Sequence, residues 1–243
     1  MSQYVKKAVV ICGGEGTRLR PLTYQTPKPL VKVNGIPVID NVIRELKRNG
    51  IEKITMAVGY KKEMFIEHFG NGSEKGLQID YSIEDKLLGT GGAIKKALKE
   101  KSRPENGEDI LVVNGDNIFE INLKAMYELH RSKDAIATLA VKAIDDVTGY
   151  GVISVENCIV RKFVEKPDPK DAESNLINLG IYIFNSGAMH MLPDSEAFSM
   201  ERDFFAKIPG TGRLCAYVSD NIWYPIDTIE RYRKASNEWR PPE

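Results

Sequence analysis

The chain predicts an α/β fold, a mostly parallel sheet with helices on both faces that passes into an antiparallel-rich region. Apolar runs of strand length alternate with segments whose apolar residues recur at helical spacing, the rhythm of βαβα units. After about residue 135 that rhythm stops, and strand-like runs follow one another through short connections. No Pro/Gly/Ser-rich linker divides the two stretches, so residues 1–243 read as one domain, with halves at about 1–134 and 135–243.

Lys7–Cys12 is a short apolar run that reads as a buried strand. Val38, Ile39, Val42, Ile43 and Leu46 fall on one helical face, and Gly50 stops that helix. Lys53–Gly59 reads as a second strand, Lys61–Phe69 as a helix and Leu77–Ile83 as a third strand. Thr90–Glu100 follows as a helix with Thr90 as N-cap, then Asp109–Asn114 as another strand. In the second half Ala135–Ala143, Tyr150–Val155, Cys158–Val164 and Ile177–Phe184 are strand-like, and a last helix follows Asp227. The antiparallel-rich part is expected to supply a second wall to a cleft.

Composition narrows the function. Lys+Arg and Asp+Glu balance at 34 each, so no global field favours nucleic acid or an acidic membrane. Any anion must therefore be held locally. Cys12, Cys158 and Cys215 are scattered and odd in number, without a disulfide framework or zinc spacing. No window approaches the roughly 18 apolar residues of a membrane span, and the apolar run after Lys6-Lys7 is too short for a signal-peptide core. A cytoplasmic, non-membrane protein is the expectation.

The most informative segment is Ile11-Cys12-Gly13-Gly14-Glu15-Gly16-Thr17-Arg18, followed by Thr26-Pro27-Lys28-Pro29-Leu30. A glycine turn after a strand allows close backbone approach and exposes N–H donors, as a polyphosphate requires. The dinucleotide fingerprint fails because Leu19 stands where the third glycine belongs, and no Gly-Lys-Ser/Thr follows as in a P-loop. What remains pairs Arg18, capable of bidentate phosphate contact, with Lys28 on a mounting stiffened by two prolines. A ligand-free tight turn explains the glycines but not the two cations.

Asp116 follows the apolar run ending at Asn114, and a carboxylate at the carboxyl end of a buried strand faces the site region of an α/β sheet. Magnesium takes few carboxylates plus substrate phosphate oxygens, so a second distant acid is wanted, and Asp227 is the candidate. The plainer readings are a turn aspartate for Asp116 and a helix N-cap for Asp227. In Glu165-Lys166-Pro167 adjacent strand residues would face opposite sides unless a turn intervenes, which Pro167 invites. Glu165 could then accept from hydroxyls while Lys166 neutralises a phosphate. His68, His130 and His190 have no partner at metal spacing, and no nucleophile elbow occurs.

These residues resemble a known family. Gly13-Gly14-Glu15-Gly16-Thr17-Arg18-Leu19, Pro27-Lys28-Pro29, Leu88-Gly89-Thr90-Gly91-Gly92, Gly115-Asp116, Glu165-Lys166-Pro167 and Asn178-Leu179-Gly180 stand in the order seen in sugar-1-phosphate nucleotidyltransferases, from residue 7 to about 235. The resemblance implies a Rossmann-like, mostly parallel but mixed sheet with an antiparallel-rich sugar-binding part. It implies that a sugar 1-phosphate oxygen attacks the α-phosphorus of a nucleoside triphosphate, giving an NDP-sugar and pyrophosphate with Mg2+. Such a transfer needs positioning and charge neutralisation more than a protein nucleophile.

Carried over by position, Ile11, Gly13, Gly14, Gly16, Thr17, Glu84, Gly89 and Thr90 would contact the nucleotide. Arg18, Lys28 and Lys166 would be catalytic, and Asp116 and Asp227 would bind the metal. Asn114, Tyr150, Gly151, Glu165, Lys166 and Asn178 would line the sugar-phosphate pocket. Relatives usually carry a glycine shortly after the second aspartate, where this chain has Thr228-Ile229-Glu230. The β-helix of bifunctional relatives has no counterpart here, so no acyltransferase activity is implied; homo-oligomerisation is left open.

Glu84 and Leu88–Gly92 resemble the base-reading segment. A carboxylate only accepts hydrogen bonds, and guanine offers two adjacent donors, which tilts the reading toward GTP and toward mannose- or heptose-1-phosphate guanylyltransferases. The alternatives are uridylyl or thymidylyl transfer to glucose 1-phosphate, a cytidylyltransferase, and a regulatory subunit that binds nucleotide sugar without turnover.

Overall fold

A computed structural model describes residues 5–104 and 107–241. The first half runs β1 (Lys7–Ile11), the hairpin strands β2 (Lys32–Val33) and β3 (Ile36–Pro37), α1 (Val38–Arg48), β4 (Lys53–Val58), α2 (Lys62–Phe69), β5 (Gln78–Ile83), α3 (Gly89–Glu100) and β6 (Ile110–Asn114). The chain continues through β7 (Asn117–Phe119), α4 (Leu123–Ser132), β8 (Ala137–Ala143), β9 (Gly151–Glu156), β10 (Ile159–Glu165) and β11 (Leu176–Phe184). Helical turns at Ser186–Met191 and Met200–Phe205 lead to β12 (Leu214–Val218), β13 (Trp223–Pro225) and α5 (Ile229–Glu238).

One nine-stranded sheet crosses both halves in the order β5-β4-β1-β6-β11-β8-β12-β10-β9. β1, β4, β5 and β6 are mutually parallel where they pair, as the βαβα rhythm predicts. β11 then runs antiparallel to β6 and β8, β12 parallel to β8, and β10 antiparallel to both β12 and β9. The expected second wall is therefore the continuation of the same sheet.

Strand residues alternate between two buried layers, as a pleat requires. Ala8 and Val10 of β1 pack with Ile39, Val42 and Leu46 of α1 and Phe65 of α2, whereas Val9 packs with Ala93, Ile94 and Ala97 of α3. Fully burying each of the Val, Ile, Leu and Phe side chains among these contributes roughly 1.5–3 kcal/mol. This two-sided cover explains why the strand sequences read as continuous apolar runs.

The expected Thr90 cap and the plainer N-cap reading of Asp227 both differ from what is seen. α3 begins at Gly89 with Leu88 at the N-cap and no side-chain cap bond, so Thr90 lies inside the first turn. Its hydroxyl instead accepts from the Met200 N–H at 2.9 Å and donates to Glu201 at 2.7 Å, contacts from a distant segment that win over the local cap. At α5 the cap is Thr228, whose hydroxyl accepts from the Arg231 N–H at 3.2 Å, so Asp227 is not the cap.

Candidate active site

The glycine segment leaves β1 under fixed terms. Cys12 N–H donates to Ala57 at 2.8 Å and Gly115 N–H to Ile11 at 2.9 Å, binding the start of the loop to both neighbouring strands. A short helical turn at Thr17–Leu19 follows, and Leu19 is fully buried as its anchor. Arg18 beside it stays 59% exposed and reaches Asp227 at 3.1 Å. Lys28 opens a second turn whose Pro29 and Leu30 are buried. Its side chain, 12% exposed, donates to the Asp116 carboxylate.

Backbone pairing beyond β6 brings the two distant aspartates together. β7 pairs with β13 in a register that sets Asn117 opposite Pro225, and Ile226 N–H donates to the Asp116 carbonyl at 3.1 Å. Each carboxylate thus faces a cation: Lys28 on Asp116, and both Arg18 and Arg231 on Asp227.

Two cavities meet at this point. One, about 300 Å³, is lined by Ile11, Gly13, Gly14, Gly16, Thr17 and the two cations. The other, about 420 Å³, is lined by Gly89, Tyr150, Gly151, Glu165, Lys166 and Asn178 among others. Arg18, Lys28, Thr90, Asn114, Asp116 and Asp227 line both. A larger cavity of about 820 Å³, lined by Leu30, Met64, His68 and Tyr232 among others, shares no residue with either.

The second cavity is built from strand ends. β10 stops at Glu165, and Lys166 adopts φ +53°, a left-handed conformation unusual for a non-glycine residue. Its N–H donates to the Tyr150 carbonyl at 3.1 Å, and its Nζ stands 3.1 Å from Glu165 Oε1. That turn is what lets neighbouring acid and base face one cavity. Burial pushes the Glu165 carboxyl above the usual carboxylate range, the Lys166 hydrogen bond opposes it, and the Glu201 charge adds to it. Asn178 is oriented from both ends: its Nδ2 donates to the Tyr182 hydroxyl at 2.7 Å and its Oδ1 accepts from Gly180 N–H at 3.1 Å. Gly180 has φ +73°, and a Cβ there would lie 2.3 Å from Asn114 Nδ2.

Other expected residues stand differently. Gly89 lines the second cavity and not the first, and Thr90 lines both. Glu84 lines neither; it lies against Gly13, where a Cβ would come within 2.3 Å of its Oε1. Its Oε2 accepts weakly from Leu88 N–H at 3.4 Å, Oε1 is buried with no hydrogen-bond partner among the described residues, and burial raises its pKa.

Sequence reasoning missed Ser199, Glu201 and Arg202, which line the second cavity, and Arg231. Ser199 caps the turn at Met200–Phe205, accepting from the Arg202 N–H, so a helix start was detectable there. That this turn faces the cavity depends on its contacts with Thr90, which no local pattern shows.

The fold and the paired cavities define a class: an α/β protein with one compartment on a glycine loop and a second beside it, the two sharing a charged wall. Residues 7–240 match nucleotidyl transferase, and the chain belongs to that enzyme family. It is 36% identical over 232 residues to a D-glycero-alpha-D-manno-heptose 1-phosphate guanylyltransferase of Aneurinibacillus thermoaerophilus, covering 96% of this chain and 97% of that one. It is 31% identical to a UTP--glucose-1-phosphate uridylyltransferase of Synechocystis, covering 94% of this chain but only 62% of that relative. The crystal structure of HddC from Yersinia pseudotuberculosis complexed with GMP-PN superposes with a TM-score of 0.80 at 29% identity, covering 97% of this chain and all of that one.

The residues fit a divalent cation. Asp116 and Asp227 offer hard carboxylate oxygens at the junction of the cavities, and both already draw positive charge. Among the described residues no cluster of three or more potential ligands forms, so substrate oxygens would have to complete the shell.

Proposed function

We propose that this protein transfers a nucleotidyl group from a nucleoside triphosphate, GTP by preference, to a sugar 1-phosphate, forming an NDP-sugar and releasing pyrophosphate. The observation that carries the reading is the shared wall of the two cavities, where two cations and two carboxylates line both compartments. An oxygen of the sugar phosphate forms the new bond to the α-phosphorus as the bond to pyrophosphate breaks. The protein's part is to align the two substrates and neutralise charge.

Arg18 is exposed and tethered to Asp227, so a triphosphate can recruit it, and its fork suits bidentate phosphate contact. Lys28 is largely covered and rigidly mounted, a fixed charge on the polyphosphate. Glu165 accepts from sugar hydroxyls, and Lys166 offsets the phosphate on the sugar. Asp116 and Asp227 are the residues that would hold Mg2+, which supplies further neutralisation of the reacting phosphates.

The preference for GTP is supported by the guanylyltransferase relative. Glu84 stands outside the cavity lining, so the start of α3 at Leu88–Gly92 is its competitor for reading the base. Pyrophosphate release tests the whole: four nucleoside triphosphates crossed with glucose, mannose, N-acetylglucosamine and heptose 1-phosphates. The fastest pair is expected to contain GTP with mannose or heptose 1-phosphate. No release from any pair removes the enzymatic reading, and a faster UTP or dTTP row removes the base assignment.

A further inference from the structure

We propose that Arg231 is a positioning residue that locks the carboxylate of Asp227 to the aromatic wall of the sugar compartment. The inference rests on the two-substrate reading above and adds to it a residue that neither the motifs nor the linings of the two site cavities include.

Arg231 lies on α5, one turn beyond Asp227. Its Nη1 donates to both oxygens of Asp227, at 2.9 and 3.0 Å. Its Nη2 donates to the Thr148 carbonyl at 3.0 Å, in the loop just before Tyr150. The guanidinium also lies over the Tyr150 ring, 4.0 Å from its centroid. Three kinds of contact therefore use one planar group, something an ammonium cannot reproduce.

Each partner leads somewhere. Asp227 lines both cavities. Tyr150 lines the sugar-side cavity, leans on Trp223 at 5.5 Å, and through its carbonyl accepts the N–H of Lys166. Burial pushes the Tyr150 phenol up to about 12, so the ring is neutral and serves as a face for the cation. Arg231 thus fastens the transfer junction to the wall that carries Lys166.

The contrast with Arg18 gives the device its purpose. Both guanidiniums sit on Asp227, but Arg18 is 59% exposed and Arg231 is 24% exposed. When phosphate oxygens draw Arg18 away, Arg231 still holds the carboxylate in place. A carboxylate held only by Arg18 would lose its orientation at the moment it is needed.

The test uses R231K and R231Q in the full chain, with circular dichroism confirming the fold. In both, the KM for sugar 1-phosphate is expected to rise about tenfold, the cost of misplacing a substrate-facing group, while the KM for the triphosphate stays within about twofold. Lysine rescues less than half of the glutamine effect. Binding of the NDP-sugar product, measured by calorimetry in EDTA, weakens by about the same factor, which separates positioning from any metal effect. The Tyr150→Leu and R231Q effects on sugar KM are expected to combine to much less than their product, since both break one contact. Unchanged sugar KM and product binding in folded variants, full rescue by lysine, or multiplicative effects overturn the role of Arg231. Absence of wild-type turnover with every substrate pair overturns the parent reading instead.

Discussion

The two compartments of the cleft are built by opposite means. The proposed phosphate side is a continuous piece of chain, Ile11 to Lys28, whose glycines and cations follow one parallel strand and answer to Asp116 and Asp227. The proposed sugar side is assembled from Asn114, Tyr150, Glu165, Asn178 and Glu201, each on or beside a different element. A polyphosphate needs backbone donors and charge, which a short loop can carry. A sugar needs acceptors and donors fixed in several directions, which only converging strands can place.

The largest effect should come from the junction that both compartments share. Asp116→Asn is expected to lower kcat by roughly 10²–10³-fold, equivalent to several kcal/mol of lost charge stabilisation, with the fold unchanged by circular dichroism. Pyrophosphate release near the wild-type rate would detach Asp116 from the chemistry. Next in size, Lys166→Ala should raise the KM for sugar 1-phosphate by about tenfold and leave the triphosphate KM nearly unaltered, whereas Lys28→Ala should do the reverse. If both variants shift both constants equally, the division into compartments is wrong.

Gly180→Ala probes the sugar wall through stability. At φ +73°, with a Cβ 2.3 Å from Asn114 Nδ2, it should cost roughly 2–3 kcal/mol and lower the Tm by roughly 5–10 °C. An unchanged melting curve would show that the backbone there relaxes freely. The smallest effect is a pH dependence. Burial raises the Glu165 pKa above 4.5, so this carboxylate takes up its proton at a higher pH than an exposed one. The KM for the sugar phosphate should therefore begin to rise, as pH falls, above pH 4.5, and the limb should vanish in Glu165→Gln. The stability sign is opposite to that of a salt-bridged acid. The native state holds the proton more tightly than the unfolded chain, so stability falls as pH rises from 4.5 through the folded value. Urea midpoints for wild type and Glu165→Gln across that window measure it.

What could be read in advance follows the same division. The strands around Ala8–Val10, Ile54–Val58 and Leu111–Val113 announce themselves because covering both sheet faces demands continuous apolar runs. Glycines 13, 14 and 16 with Arg18 and Lys28 are legible because a phosphate loop is local. Thr90 was misassigned because a good cap residue was claimed by Met200 and Glu201, more than a hundred residues away. The segment from Ser199 to Arg202 was missed for the same reason from the other side.

The parallel half, the glycine loop and the cations beside it could be read along the chain, since each arises from periodicity or neighbouring residues. Tertiary structure alone decided that β7 and β13 bring Asp116 beside Asp227, that Lys166 turns at φ +53° to share a cavity with Glu165, and that Arg231 reaches across to Tyr150. Those relations depend on strand register and on contacts between distant segments, and a linear pattern carries no record of either.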